Sequence, residues 1–507
     1  MLKPKAEVVN PPHASVATPA ATPRIIPRSE HSISRSHISP NALRVLYRLR
    51  EGGFQAFLVG GCVRDLLLGM EPKDFDVATD ALPEEVKRLF RNCRLVGRRF
   101  RLAHVFFGRD IVEVATFRAT SAPSQGDEPL PEADPEDGEA PELDDPDLEA
   151  EPVPAQARAP LERPSRGRGD AEPGAATEVT FDASGRILRD NVYGTIDEDV
   201  WRRDFTVNAL YYNIADFSLW DYVGGAEDIK TRTLRLIGDP ETRFREDPVR
   251  MLRAARFEAK LGFQIEPATA KPIGALRQLL AGVPPARLFD ETLKLFLTGQ
   301  GARSFEVLRS RGLLAAMLPT VDAYFASHPG SLVEKLLLQG LRNTDARVLA
   351  DKPVTPTFLF ALLLYGPIAG IIESAPPEHW HELATILEAC DRATREAQAR
   401  LAIPRRFALG VREMFALQPR LEHPRGRRSL RLLEQARFRA GYDLLLLRAE
   451  HGLAPPDVAQ WWTRLQQVPP EERGRMADAL AGEGSPPQAP HRRGRRRRRR
   501  SRASSPA

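Results

Sequence analysis

A run of strand character, Phe57-Leu-Val-Gly-Gly61, leads into Arg64-Asp65 and then Asp74-Phe75-Asp76. A strand that ends in two glycines and opens a helix brings backbone amides close enough to contact a phosphate. In an extended chain Asp74 and Asp76 point to one face while Phe75 and Val77 point to the other. Two carboxylates held side by side repel unless a cation lies between them. From these two residues alone, a solvated edge strand is the better explanation of the pattern. Glu113 adds a third acid. It lies on an apolar strand, opposed to Val112 and Val114 and on the same side as Ile111 and Ala115, so it is expected to face inward and to need a partner. Asp74, Asp76 and Glu113 together form a hard oxygen donor set suited to Mg²⁺, with Mn²⁺ as the other fitting ion. Two such ions can clamp the attacking and leaving oxygens of an in-line phosphoryl or nucleotidyl transfer.

These residues need a sheet and helices to hold them. The periodicity predicts a helix from Asn41, strands at Phe54–Val59 and Asp74–Thr79, and a helix starting near Val63. Val105–Phe107 and Ile111–Phe117 read as a hairpin turning at Gly108–Asp110. Val179–Phe181 and Ile187 read as a further strand pair closing the same sheet. Strands are expected to stop near residue 230. From Glu246 the patterns are helical: Val249/Leu252/Ala255/Ala259, Leu288–Leu297, Leu332–Leu341 and Ala440–Arg448. The fold class is therefore α+β, with a small mixed or antiparallel sheet in the head followed by an all-α neck, body and C-terminal region.

Two helical readings bear on chemistry. Arg202-Arg-Asp-Phe-Thr-Val-Asn-Ala209 places Asp204 and Asn208 four apart on one helix face, with Val207, Leu210, Tyr211 and Ile214 on the apolar face. Asp247 before Pro248 has the form of an N-cap followed by proline at the first helical position. Arg250, Arg253 and Arg256 then recur along one side of that helix, as solvated arginines also would.

The GG-x-x-RD turn with Asp74-Phe75-Asp76 resembles the class II nucleotidyltransferase superfamily, which holds tRNA CCA-adding enzymes and bacterial poly(A) polymerases. Arg202–Ala209 is similar to that family's RRDFTxNA segment, Glu246-Asp-Pro-Val-Arg250 to its nucleotide-reading EDxxR segment, and Arg98–Arg101 ahead of His104-Val105 to its basic stretch. The flanks beginning at Ile38, Arg94 and Leu236, with Leu401–Arg406 and Arg437–Glu450, resemble the bacterial poly(A) polymerase I branch over roughly residues 25–470. The resemblance implies template-free transfer of AMP from ATP to an RNA 3′-hydroxyl with release of pyrophosphate, in the service of RNA turnover. It implies Asp74, Asp76 and Glu113 as metal ligands and, with Asp204, as catalytic residues. Gly60, Gly61 and Arg64 would hold the triphosphate. Asp204 and Asn208 would line the nucleotide site, and Asp247 and Arg250, with Arg253 nearby, would select adenine. CCA addition to tRNA is the alternative with the same chemistry, although no His-Asp pair of the hydrolase type appears among the ten histidines. A catalytically silent RNA-binding adaptor is the reading from a different class.

Charge is distributed unevenly along the 507 residues, so the net charge of +5 conceals two poles. Asp127–Glu151 holds 13 acids and no Lys or Arg, whereas His491–Arg502 holds nine arginines and no acid. Such an arginine tail neutralises phosphates without reading sequence. The three cysteines form no CxxC pair, which excludes a disulfide scaffold and a structural zinc site and suits a reducing cytoplasm. The longest apolar stretch, Phe358–Ile372, falls short of the ~18 residues of a spanning helix and reads as a buried helix ending near Pro367. The expected layout is a flexible basic arm (1–39), a catalytic head (40–230) carrying an acidic disordered insert (121–176), a helical neck (231–290), an all-α body (291–420), a C-terminal RNA-binding region (421–470) and a disordered tail (471–507). The expected partners are RNA 3′ ends, ATP and RNA-decay proteins, with no membrane, for a monomeric protein.

Overall fold

The computed structural model describes residues 22–97, 101–119, 179–181, 187–190 and 192–482. The acidic insert 121–176, the Arg98-Arg-Phe100 part of the basic stretch and the arginine run lie outside the described residues. Two compact units emerge, one from residues up to Pro284 plus Arg303–Met317, the other from Pro285–Ala302 and Leu318 onward.

The first unit is built on an eight-stranded sheet. Its strands are β1 (Arg24–Ile26), β2 (Ala56–Val59), β3 (Asp76–Thr79), β4 (Cys93–Val96), β5 (Leu102–Phe107) and β6 (Asp110–Thr116), joined by β9 (Leu210–Asn213) and β10 (Leu219–Asp221). They lie in the order β1-β10-β9-β2-β3-β6-β5-β4, antiparallel except for the β3–β6 pair. Between them in sequence, β7 (Val179–Phe181) and β8 (Ile187–Asp190) pair only with each other. They form a separate ribbon and do not close the main sheet as expected.

The sheet also begins earlier than the sequence pattern indicates. Residues 24–39, expected within a flexible arm, contribute β1 at the sheet edge and bury Ile26, Ile33 and Ile38. Isolated isoleucines carry no period, which is why the segment reads as unstructured. Helix α1 (Pro40–Glu51) follows, its first turn capped by Ser39 Oγ, which accepts from the Asn41 amide at 3.2 Å. Its Ala42, Val45, Leu46 and Leu49 are buried, and it packs with α3 (Pro83–Leu89) on the face of the sheet that carries Val77, Val112 and Val114. Helix α2 (Gly61–Leu67) opens directly from β2.

The other face of the sheet is covered at its β2–β9 end. There Phe57, Val59, Ala78 and Tyr211 cluster with Ile196 and Val200 of α4 (Ile196–Arg202). Beyond β10 run α5 (Gly225–Lys230), α6 (Pro240–Glu246) and α7 (Val249–Leu261). A two-stranded parallel pair, β11 (Thr233–Leu234) with β12 (Gln264–Ile265), extends strand structure past residue 230.

The second unit is helical, with helices at Pro285–Phe296, Leu332–Leu349, Leu383–Gln398, Arg405–Glu422 and Phe438–Glu450 among others. Its cores include a cluster around the fully buried Trp462, whose indole donates to the Leu421 carbonyl at 2.8 Å. The apolar stretch at 358–372 forms two helices, Pro356–Leu363 and Tyr365–Glu373, bent by 43° at Leu364. Pro367 does not end a helix as expected. It sits in the first turn of the second one, where its missing N–H has no intrahelical partner to lose. No single helix among the described residues is long and apolar enough to cross a membrane.

Candidate active site

The site grows out of the turn after β2. Gly60 has φ +80° and ψ −138°, a conformation open in practice only to glycine, and it caps α2. Val59 pairs with Asp76 on β3, so the turn stands beside that carboxylate. A Cβ added at Gly60 would lie 3.5 Å from Asp76 Oδ2 and 4.0 Å from Arg203 Nη1. Asp76 in turn pairs in register with Glu113 on β6, and Glu113 with His104 on β5, His104 Nε2 being 3.6 Å from Glu113 Oε1. Asp74 precedes β3, which begins at Asp76, yet Asp74 and Asp76 are more exposed than Phe75 and Val77 as the alternation requires.

Glu113 differs from expectation in one respect. It faces outward with the 45 % exposed Ile111, its own side chain half exposed, rather than into a core. The sheet face it occupies is open at this end, so alternation places it correctly beside Asp76 while the assumption of burial fails.

The three acids make their mark on Asp76, whose carboxyl is pushed up to about 6 by burial, then by Glu113 and Asp74, with Arg203 opposing. Among the described residues no group of three His, Cys, Asp or Glu side chains stands at metal-holding spacing. Asp74, Asp76 and Glu113 thus share an open face without closing a cage. That donor set fits Mg²⁺, which keeps waters and takes one or two carboxylates together with substrate phosphates.

Arg203 is the residue beside the acids that sequence reasoning passed over, although it lies within the segment already singled out. Its Nε donates to the Tyr211 hydroxyl at 2.7 Å, its Nη2 to Asp199 Oδ2 at 2.9 Å, and the Tyr211 hydroxyl donates to the same oxygen at 2.7 Å. Burial works against the Arg203 cation, but Tyr211 and Asp199 hold its guanidinium above the ordinary arginine range. Arg243 Nη2 donates to the carbonyls of Arg202 and Arg203 at 3.0 and 2.7 Å and so fixes the chain here.

The segment 202–209 is not the helix its period suggested. Helix α4 stops at Arg202, Phe205 bridges to Leu236, Thr206–Asn208 makes one 3₁₀ turn, and β9 begins at Leu210. Asp204 and Asn208 nevertheless come together. Arg64 Nη1 donates to Asn208 Oδ1 at 2.6 Å, Asn208 Nδ2 to Asp204 Oδ1 at 3.4 Å, and Arg253 Nε to Asp204 Oδ2 at 2.7 Å. Arg64 also donates to Asp65 Oδ1 at 2.6 Å, and both Arg64 and Arg253 lie over the Phe257 ring. Four of the expected nucleotide-binding residues therefore form one chain from α2 to α7. Arg64 is buried within it, which makes it a brace of the site more than an outward phosphate hook.

The start of α7 lies one residue later than the capping pattern indicated. Pro248 occupies the N-cap and the helix begins at Val249, though Asp247 Oδ1 still accepts from the Val249 amide at 3.2 Å. Arg250, which the resemblance implies for nucleotide selection, is largely buried, against the alternative of a solvated row, and donates to Glu246 Oε2 and the Arg243 carbonyl, each at 2.8 Å. Nearby, Arg202 is lowered to about 9 by burial and then by Arg118, Arg243 and Arg250. A crowd of buried guanidiniums is a place where an anion is stabilising.

Comparison with known proteins yields three family models. Residues 56–235 match the poly A polymerase head domain, 262–325 the probable RNA and SrmB-binding site of polymerase A, and 378–502 the polymerase A arginine-rich C-terminus. Poly(A) polymerase I of Salmonella typhi is 44 % identical over 91 % of this chain and 90 % of its own length. The Escherichia coli O157:H7 protein of that name is also 44 % identical, over 93 % and 91 %. A CCA-adding enzyme of Lactobacillus helveticus is 31 % identical over 52 % of each chain. Among solved structures, a tRNA-processing enzyme in an apo form aligns at TM-score 0.52 and 20 % identity, covering 88 % of this chain and 98 % of that one. A tRNA nucleotidyltransferase with a primer tRNA and an incoming ATP analog aligns at 0.50 and 20 %, covering 84 % and 99 %. These two establish likeness of fold.

Proposed function

The chain belongs to the bacterial poly(A) polymerase I family, and from that premise we propose that it adds AMP from ATP to RNA 3′ ends without a template. The observation that carries this reading at the site is the raised Asp76 carboxyl, wedged between the Gly60 turn and Glu113. Such a carboxylate is poised to accept a divalent cation. Asp74, Asp76 and Glu113 would hold Mg²⁺ or Mn²⁺, which when bound supplies positive charge to the phosphates of ATP.

The other residues bind, orient and select. Gly60 and Gly61 would let the triphosphate approach the backbone, Gly60 at a φ of +80° that residues with side chains rarely adopt. The guanidiniums of Arg118, Arg202 and Arg243 would offset the triphosphate's negative charge. Arg64, Asn208, Asp204 and Arg253 hold the wall of the nucleotide site rigid, and Asp247 with Arg250 would select adenine. The RNA 3′-hydroxyl attacks the α-phosphate, a new phosphodiester forms and pyrophosphate leaves. The neck at 231–290 reads the nucleotide in this scheme, while 421–470 and the arginine tail grip RNA. A monomeric, cytoplasmic enzyme working with RNA-decay proteins belongs to the same proposal.

The test offers the purified protein ATP alone, or CTP with ATP, on a plain oligoribonucleotide and on a tRNA lacking its 3′ end. Long homopolymer from ATP alone on the oligoribonucleotide is expected. Two C and one A added only to the tRNA would overturn it in favour of CCA addition, and absence of turnover with Mg²⁺ in favour of an RNA-binding adaptor. Asp74→Ala and Asp76→Ala proteins, folded, are expected to extend neither RNA.

A further inference from the structure

Among the described residues, the sheet face that bears Asp76 and Glu113 is covered on one side of them and open on the other. Toward β2 and β9 it is closed by Val59, Tyr211 and the residues of α4. Toward β5 and β4 the register places a set of outward side chains in line with the acids. Glu113 pairs with His104, and His104 with Arg94, while Ile111 pairs with Phe106. Arg94 is exposed, Ile111 is 45 % exposed, and Phe106 and His104 are partly so. The Arg94 guanidinium lies over the Phe106 ring, 5.6 Å from its centroid, and the His104 ring stands 6.4 Å from that of Phe106.

This strip combines an aromatic ring, a guanidinium stacked on it and a β-branched side chain at the edge of the catalytic acids. Bases of single strands stack on such rings and on guanidinium planes whatever their identity, and a nearby arginine neutralises backbone phosphate. We propose that this bare strip is the track for the last nucleotides of the acceptor RNA, a proposal that rests on the polyadenylation reading. The dimensions agree. From β6 to β4 is about 10 Å at ~4.8 Å per strand, which two or three stacked nucleotides at ~3.4 Å each would span. Charge fixes the direction of the strand. Upstream phosphates are drawn to Arg94 and repelled by Asp76 and Glu113, so the 3′-hydroxyl end lies over the acids. Beyond the acids, the described side chains of the strip that offer a hydrogen bond to a base edge are His104 and Arg94, which suits a growing tail of any upstream sequence.

Steady-state kinetics on oligoribonucleotide primers, with the full chain, test the track. Phe106→Ala and Arg94→Ala are expected to raise KM for RNA by about tenfold, the scale of one lost base stack, while KM for ATP and the rate at saturating RNA hold. Arg94→Lys, which keeps the charge on an exposed edge-strand position, is expected to recover part of the loss. Independently of turnover, a primer with 4-thiouridine at the second or third position from its 3′ end is expected to crosslink to peptides containing residues 94 or 104–111. Unchanged KM for RNA in all the variants, or crosslinks confined to other segments, would overturn the track. Failure of the unmodified protein to extend any primer with ATP would sink the polyadenylation reading instead, and the crosslink positions still report where the strand lies.

Discussion

Asp76 on β3 stands beside Glu113 on β6 and near Asp74, with Arg203 opposing them, and its carboxyl is pushed up to about 6. One strand away, Asp199, Arg203 and Tyr211 close a ring of hydrogen bonds between 2.7 and 2.9 Å, and Asp204 meets Arg253 at 2.6 Å. Both regions are rich in charge, yet the second is closed by hydrogen-bonded ion pairs to a degree that the first is not. Like charges left together cost stability, and a fold that keeps them is reserving the place for a ligand of opposite sign. Paired buried charges do something else: they hold the backbone of the 199–211 segment against the sheet so that Gly60 and Asp76 keep their spacing. Function and scaffold are thus distinguished by whether a charge has a partner.

The sharpest way to break that comparison is to neutralise Asp76. Asp76→Asn is expected to lower the rate by at least ~10³-fold, because several kcal/mol of transition-state charge stabilisation depend on the acids. Its thermal unfolding temperature, measured with a chelator present, should match or exceed that of the unmodified protein, since a repelling charge is gone. A clearly less stable variant would move Asp76 into the scaffold. Arg203→Met makes the opposite demand. It leaves Asp199 buried without its cation, which costs about 3–5 kcal/mol, and urea unfolding should show that loss whether or not ATP is supplied.

The ion itself gives a third, smaller contrast. Mg²⁺ at a hundredfold excess over its dissociation constant should stabilise the unmodified protein by about 2.7 kcal/mol and Asp76→Asn much less, read by calorimetry at matched ionic strength. Equal stabilisation of both would place the ion elsewhere.

The two regions were not equally legible in the sequence. The acids were, because strand alternation is local: Asp76 and Glu113 land in register from the pattern of their own strands. The Gly60 turn was legible for the same reason, since two glycines at the end of a strand announce a backbone that other residues avoid. The paired region was misread. Asp204, Asn208, Val207, Tyr211 and Ile214 satisfy a helical period, but β9 hydrogen-bonds to both β2 and β10, and sheet pairing outweighs a local period when flanking strands are waiting. Arg203 went unassigned because its value comes from Asp199 and Tyr211, partners that no spacing rule joins across a helix end and a strand. Residues 24–39 failed similarly: their order depends on β10, nearly two hundred residues away.

Asp204 allows the finest test, because its protonation should follow the reverse of Asp76. Burial alone would raise its carboxyl, but Arg253 at 2.6 Å, the Phe205 amide at 2.8 Å and Asn208 at 3.4 Å hold it below the usual aspartate range. A carboxylate whose folded value lies below its unfolded one, near 3.9, stabilises the fold fully above that unfolded value. The contribution is lost as the pH falls through the unfolded value and on through the lower folded one. Asp204→Asn removes the charge at every pH. The variant should therefore be less stable than the unmodified protein by about 1–3 kcal/mol near neutrality, and the gap should close progressively below about pH 4. Urea unfolding of the two proteins across that range measures it. A gap that widened toward acid would mean that the Asp204 carboxyl is raised in the fold as that of Asp76 is, and the division between satisfied scaffold and unsatisfied site would fail at the residue where the two regions meet.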